Sequence, residues 1–255
     1  MKIYEEQTIH ASWKTFFVDK EVQTILQTIE DSITGIVTPS KERILRYASI
    51  DLEEVNCVIW GRDPYPQLKA SGESVATGRS FEVSGTSSWN DKSINASLRN
   101  ILKLLHKSYF QLEYSDSIEK VRKDIESGFF PVLPPNEAFN HWEENGALFL
   151  NRAFTCSVGT HKGASGSHEA LWTPFFEKML PFMVEVNPTM KHFLWGKAKE
   201  LAPILLKLGV EESNLYISKH PSAFTGDKGG YEKQGNFLNN DCFHETMNDM
   251  KWINK

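Results

Sequence analysis

The chain has 255 residues, 40% of them hydrophobic, and a formal net charge of -5. That length supports one large domain with a substantial core, and the acidic balance leaves only a local cationic groove or backbone amides to meet a nucleic acid. Cys57, Cys156 and Cys242 are scattered along the sequence, which excludes a disulfide framework and a paired CxxC metal signature and suits a reducing compartment.

The first residues, Met1-Lys2-Ile3-Tyr4-Glu5-Glu6, form no apolar h-region, and no apolar run approaches a membrane span. The expectation is a soluble protein that is not secreted, cytoplasmic or, in a eukaryote, nuclear. No linker divides residues 1–255, so a single domain is expected.

Apolar residues at helical spacing from Phe16 to Ile33 predict a helix beginning near Lys20, capped by Asp19. Val37-Thr38-Pro39-Ser40 breaks the chain, and a second helix is expected from Ser40 through Tyr47. Residues 57–60 then read as a buried strand that ends abruptly in Gly61-Arg62-Asp63-Pro64-Tyr65-Pro66. Three further apolar runs, 147–150, 192–195 and 215–218, lack strict alternation, as strands covered on both faces do. Helical patterns over 97–106, 172–184 and 197–208 separate them, so the expected fold is α/β, with a mostly parallel four-stranded sheet flanked by helices in a three-layer sandwich.

In such a sheet the residues following each strand converge on one edge. Asp63, Asn151 and His220 would then line one crevice, although each can also be read as turn or cap chemistry. Phe81 lies on a short run that reads as extended and could flank the crevice or fill the core. Residues 84–95 read as a polar loop. Residues 219–237, with Gly226, Gly229, Gly230 and Gly235, read as a loop able to grip a polyanion or simply to be solvated. His161 and His168 have no third partner at metal-ligand spacing, and the chain shows no dinucleotide fingerprint, Walker motif or nucleophile elbow. No cofactor and no metal are expected.

Several stretches resemble the first family of uracil-DNA glycosylases, in the family's order from about Ser12 to Trp252. Gly61-Arg62-Asp63-Pro64-Tyr65-Pro66 is similar to the GQDPYH water-activating loop, Ala147-Leu148-Phe149-Leu150-Asn151 to LLLN, and His220-Pro221-Ser222-Ala223-Phe224-Thr225 to HPSPLS. Ser97-Leu98-Arg99-Asn100-Ile101 resembles PSLxNI, Ser12-Trp13-Lys14-Thr15-Phe16-Phe17 resembles SWxxFF, and Phe193-Leu194-Trp195-Gly196 resembles LLWG.

The resemblance implies excision of uracil from DNA by hydrolysis of its N-glycosidic bond after base flipping. Asp63 would orient or deprotonate a water and His220, neutral, would donate to uracil O2. Asn151 would read the Watson–Crick edge, Phe81 would stack on the base, Tyr65 would exclude the thymine methyl, and Arg62 would border the substrate. Ser97, Ser222, Ala223, Phe224 and Thr225 would meet the DNA, with Phe224 in the position of a wedge that fills the vacated stack.

The implied partner is uracil-containing DNA, single- or double-stranded, bound by a monomer, with a protein inhibitor or replication partner also compatible. Arg62 and Pro66 stand where the family has glutamine and histidine; poxvirus-type members share the proline. Ala223 replaces a proline, and Ser93-Ile94-Asn95-Ala96 replaces a proline-rich stretch. These departures keep two alternatives open: a catalytically weakened DNA-binding relative serving repair or replication as a scaffold, and a glycosylase for another damaged pyrimidine. Three scattered cysteines cannot supply the four ligands of the iron–sulfur glycosylases.

Overall fold

The computed structural model describes residue 3 and residues 7–159, 166–223 and 235–254. Its elements in chain order are α1 (Lys14–Val18), α2 (Lys20–Ser32), β1 (Val37–Thr38), β2 (Cys57–Gly61), α3 (Ala96–Phe110), α4 (Ile118–Glu126) and α5 (Pro135–Glu144). Then follow β3 (Ala147–Asn151), β4 (Cys156–Ser157), α6 (Glu169–Val186), β5 (Lys191–Trp195), α7 (Ala202–Lys207), β6 (Leu215–Ser218) and α8 (Cys242–Glu245). The main sheet has four strands in the order β3-β2-β5-β6, all parallel. β1 and β4 pair separately as a short antiparallel ribbon.

The sheet separates two apolar clusters. Val58, Trp60, Leu148, Leu150 and Leu194 face one side, packed with α1, α2, α6 and α7. Cys57, Ile59, Ala147, Phe149, Phe193 and Trp195 face the other, packed with α3, α4, α5 and the C-terminal segment. Alternation along each strand is therefore present but invisible as polarity, because both faces are covered. Sheet and helices form the three layers expected from the sequence.

α2 begins where the sequence places it. The Asp19 carboxylate accepts from the amides of Glu21 and Val22 at 2.9 and 3.0 Å, satisfying two of the donors that a helix start leaves free. Residues 40–47 differ from expectation. Two 3-10 turns, Lys41–Arg43 and Arg46–Ser49, replace one helix. The bend and the second turn together bury Ile44, Leu45, Tyr47 and Ala48, consecutive enough that an ideal helix would spread them around its circumference. The pattern over 197–208 likewise divides into a 3-10 segment, Gly196–Leu201, and α7, with Pro203 in the first turn of the α-helix.

Phe81 is not on an extended run: its φ is +64°, a left-handed conformation costing roughly 1–2 kcal/mol for a residue with a side chain.

Candidate active site

Strand register brings the catalytic candidates together. Gly61 pairs with Asn151 across β2 and β3, and Trp195 pairs with Ser218 across β5 and β6, so the carboxyl ends of all four strands finish side by side. A cleft of about 650 Å³ opens there, lined by Asp63, Tyr65, Phe81, Asn151 and His220 among others. Arg62, Ser97 and Ser222 also border it. Ala223 is exposed and ends the 3-10 turn that follows His220. Phe224 and Thr225 lie outside the described residues, as do His161 and most of the glycine-rich loop.

Two glycines make this convergence possible. A Cβ on Gly61 would fall 2.1 Å from Asn151 Oδ1 and 2.7 Å from Ser80 Cβ, so only glycine lets the Asn151 amide lie across the end of β2. Gly196 has φ +65°, and a Cβ there would meet His220 Cβ at 2.8 Å. The glycine after β5 thus admits the histidine that follows β6.

Asn151 is the last residue of β3 and is buried. Asp63 lies two residues past β2, half-buried, with Arg62 Nε 3.4 Å from its Oδ2. The same guanidine nitrogen reaches Glu169 at 3.3 Å, and Glu169 also pairs with Arg152 at 3.2 Å. Tyr65 is fixed at both ends. Its carbonyl accepts from Thr38 Oγ1 at 2.6 Å, and its hydroxyl accepts from Asn95 Nδ2 at 2.9 Å. The Phe81 ring lies 6.0 Å from the His220 ring and 5.5 Å from Trp195, so an aromatic wall closes one side of the cleft.

The tautomer of His220 follows from its neighbours. The Ser222 amide donates to His220 Nδ1 at 3.2 Å, and Ser222 Oγ lies 2.8 Å from the same atom. An acceptor at Nδ1 carries no proton in the neutral ring, so Nε2 holds it as a donor. Burial lowers the His220 pKa from its ordinary value, which favours that neutral form. The turn reading and the site reading of His220 therefore coexist: the turn sets the tautomer.

The cleft also holds polar and aromatic residues not expected there from the sequence, among them Arg79, Asn95, Trp195 and Lys197. Asn95 was legible as an N-cap signal before a periodic run, and it does cap α3, accepting from the Leu98 amide at 3.0 Å. It therefore ties the start of that helix to the Tyr65 hydroxyl. Among the described residues, His106, Asp116 and Asp124 form one group at metal-ligand distances. It lies between α3 and α4, and the Lys120 ammonium already sits on the Asp124 carboxylate at 2.5 Å.

No family model matches the chain. It is similar to a mutant UNG from Nitratifractor salsuginis, with a TM-score of 0.69 at 20% identity, covering 99% of this chain and 97% of that one. It is also similar to the crystal structure of mimivirus uracil-DNA glycosylase, with a TM-score of 0.61 at 20% identity over 88% of this chain and 72% of that one. A mimivirus UNG mutant is solved in complex with UGI. These likenesses define the class of fold, the α/β architecture of solved uracil-DNA glycosylases.

The sequence carries the identification further. The chain is 30% identical over 199 residues to the uracil-DNA glycosylase of Streptococcus suis strain 05ZYH33, which spans 76% of this chain and 73% of that protein. It belongs to the uracil-DNA glycosylase family.

Proposed function

We propose that this chain is a DNA repair hydrolase that excises uracil from DNA by cleaving its N-glycosidic bond, leaving an abasic site. The observation that carries the reading is the meeting of Asp63, Tyr65, Phe81, Asn151 and His220, from four separate stretches of sequence, on one cleft at the carboxyl edge of the sheet.

Cleavage builds positive charge on the deoxyribose and negative charge on the departing base. Asp63 supplies a carboxylate for the first and directs a water to C1′; His220 supplies a preorganised Nε2–H donor for uracil O2. A neutral imidazole suits that task, because it stabilises the leaving anion without having to give up a proton. The Asn151 amide accepts from uracil N3–H and donates to O4, a pairing that the cytosine edge mismatches. Phe81 stacks on the flipped base, and Tyr65, pinned by Asn95 and Thr38, occupies the space a thymine methyl would need. Arg62 borders the substrate and holds the Asp63 carboxylate from one side.

Ser97 and Ser222 flank the cleft mouth as phosphate contacts. Ala223, Phe224 and Thr225 serve as further DNA contacts in this reading, with Phe224 as the wedge. The enzyme acts as one domain and a monomer, on single- or double-stranded DNA, in a reducing compartment, cytoplasmic or nuclear. The three free, buried cysteines favour such a compartment. No helix among the described residues is long and apolar enough to cross a membrane. An inhibitor that masks this DNA face, or a replication protein, is a compatible partner.

A second reading, a weakened DNA-binding relative, is favoured by one observation: the Arg62 guanidinium 3.4 Å from Asp63 offsets the negative charge that the sugar cation needs. Incubating the protein with oligonucleotides that each hold one uracil, then cleaving abasic sites with alkali, separates the two. Strand scission at uracil, absent before alkali and strongly reduced in Asp63→Asn and His220→Asn, supports excision. Binding without scission leaves only the second reading.

A further inference from the structure

The ring that stacks on the base sits in an unusual turn. The Glu82 amide donates to the Ser80 carbonyl at 2.8 Å, a bond spanning two residues, and the residue between them, Phe81, has φ +64°. These are the marks of a γ-turn in its rare, strained form. Nothing in a phenylalanine favours that backbone, so its surroundings must impose it.

Those surroundings form a buried ionic clamp. Arg79, almost wholly inaccessible, directs Nη1 at both carboxylate oxygens of Glu82, at 3.1 and 3.2 Å. The two side chains flank the turn and close it from outside. Arg79 Nη2 anchors the clamp to α5, donating to Asn140 Oδ1 at 2.7 Å and also pairing with Glu143. Arg46 Nη2 reaches the same Glu143 oxygen at 3.2 Å. On the sheet side, Ser80 Oγ donates to the Ile59 carbonyl at 2.8 Å, so the turn is also fastened to β2. Arg79 itself borders the cleft.

We propose that Arg79 is a positioning residue for uracil recognition: with one guanidinium nitrogen on the Glu82 carboxylate and the other on α5, it holds the Phe81 γ-turn closed and keeps the ring against the base. The inference rests on the uracil-excision reading of the same cleft. The planar guanidinium sends one nitrogen to the Glu82 carboxylate and the other to α5 at once, whereas a lysine ammonium keeps the charge on a single nitrogen and cannot span both. Arg79→Lys therefore separates geometry from charge.

The test measures four quantities on the full chain: the thermal midpoint, kcat on a single-uracil oligonucleotide, inhibition by free uracil, and affinity for an abasic oligonucleotide. Free uracil needs the stacking ring; the abasic oligonucleotide keeps the DNA contacts and does not fill that space. For Arg79→Lys the expected result is a free-uracil Ki raised about tenfold and kcat lowered about tenfold, as loss of an aromatic stacking contact implies. Abasic-DNA affinity should stay within about twofold, as the unaltered DNA contacts imply.

Should Arg79→Lys fail to fold, Arg79→Met/Glu82→Met removes both charges of the clamp together and should give the same split. A folded variant with the parental Ki and kcat overturns the proposal, as does a rise in Ki matched by an equal loss of abasic-DNA affinity. Failure of both variants to fold also overturns it, assigning Arg79 to stability alone. If the parent protein releases no uracil, the excision reading itself has failed, and the inference falls with it.

Discussion

Two histidines kept neutral by burial sit at opposite ends of the parallel sheet. His192, near the amino end of β5, is buried, stacks on Trp60 and accepts from Trp60 Nε1 at 3.1 Å. His220, just past the carboxyl end of β6, accepts at the same ring nitrogen from its own turn. Both rings therefore carry their proton on Nε2, and desolvation lowers both pKa values. At the amino end Nε2 is enclosed without a partner; at the carboxyl end the ring borders an open cleft with Asp63 and Asn151. The physics that fixes the protonation state is shared. Position at the sheet edge decides whether the ring is enclosed or faces the cleft.

The largest expected effect lies at that edge. Asp63→Asn should lower kcat/KM for uracil release by about a thousandfold or more, with the thermal midpoint unchanged, as single-turnover assays and melting curves would show. His220→Gln should cost on the order of a hundredfold. By contrast, His192→Gln should leave kcat/KM within about threefold while removing about 1–3 kcal/mol of stability by disturbing a buried polar contact. Equal activity losses at the two histidines would erase the distinction between the two ends.

Acid should act chiefly through the amino end. Burial holds the folded His192 pKa down to about 4, against an ordinary 6.5. Between those values the unfolded chain binds a proton that the folded chain does not. Stability is therefore full above about pH 6.5 and falls as pH drops toward 4, by about 3 kcal/mol from this group. Burial also lowers the pKa values of His168 and His220, which adds in the same direction. Denaturant titrations at a series of pH values would check the slope, and His192→Gln should flatten it. Smallest in scale, Tyr65→Ala should admit thymine, raising its release about tenfold above background, within the range that one methyl in a pocket can discriminate. No thymine release would remove Tyr65 from the specificity assignment.

The carboxyl edge was legible in the sequence because strands buried on both faces announce themselves as short apolar runs, and the residues after them could be aligned without knowing the register. The Phe81 turn was not legible. A γ-turn centred on phenylalanine leaves no periodic trace, and its clamp joins Arg79 and Glu82 to Asn140 and Glu143, residues of a helix the apolar pattern did not reveal. Charged residues ordinarily read as solvated surface, so a buried arginine is found only once its partners are placed. Residues 40–47 were misread for a related reason: four closely spaced apolar and small residues fit one helical turn as well as they fit a bend.

The central claim is that the carboxyl edge of this sheet cleaves uracil from DNA through Asp63. The most direct measurement is free uracil, quantified by mass spectrometry after incubation with a single-uracil oligonucleotide, for the parent protein and for Asp63→Asn. The expected result is stoichiometric release by the parent, with an intact strand until alkali is added, and release slowed by about a thousandfold in the variant. Equal release by both proteins, or none by the parent on single- and double-stranded substrates alike, would contradict it.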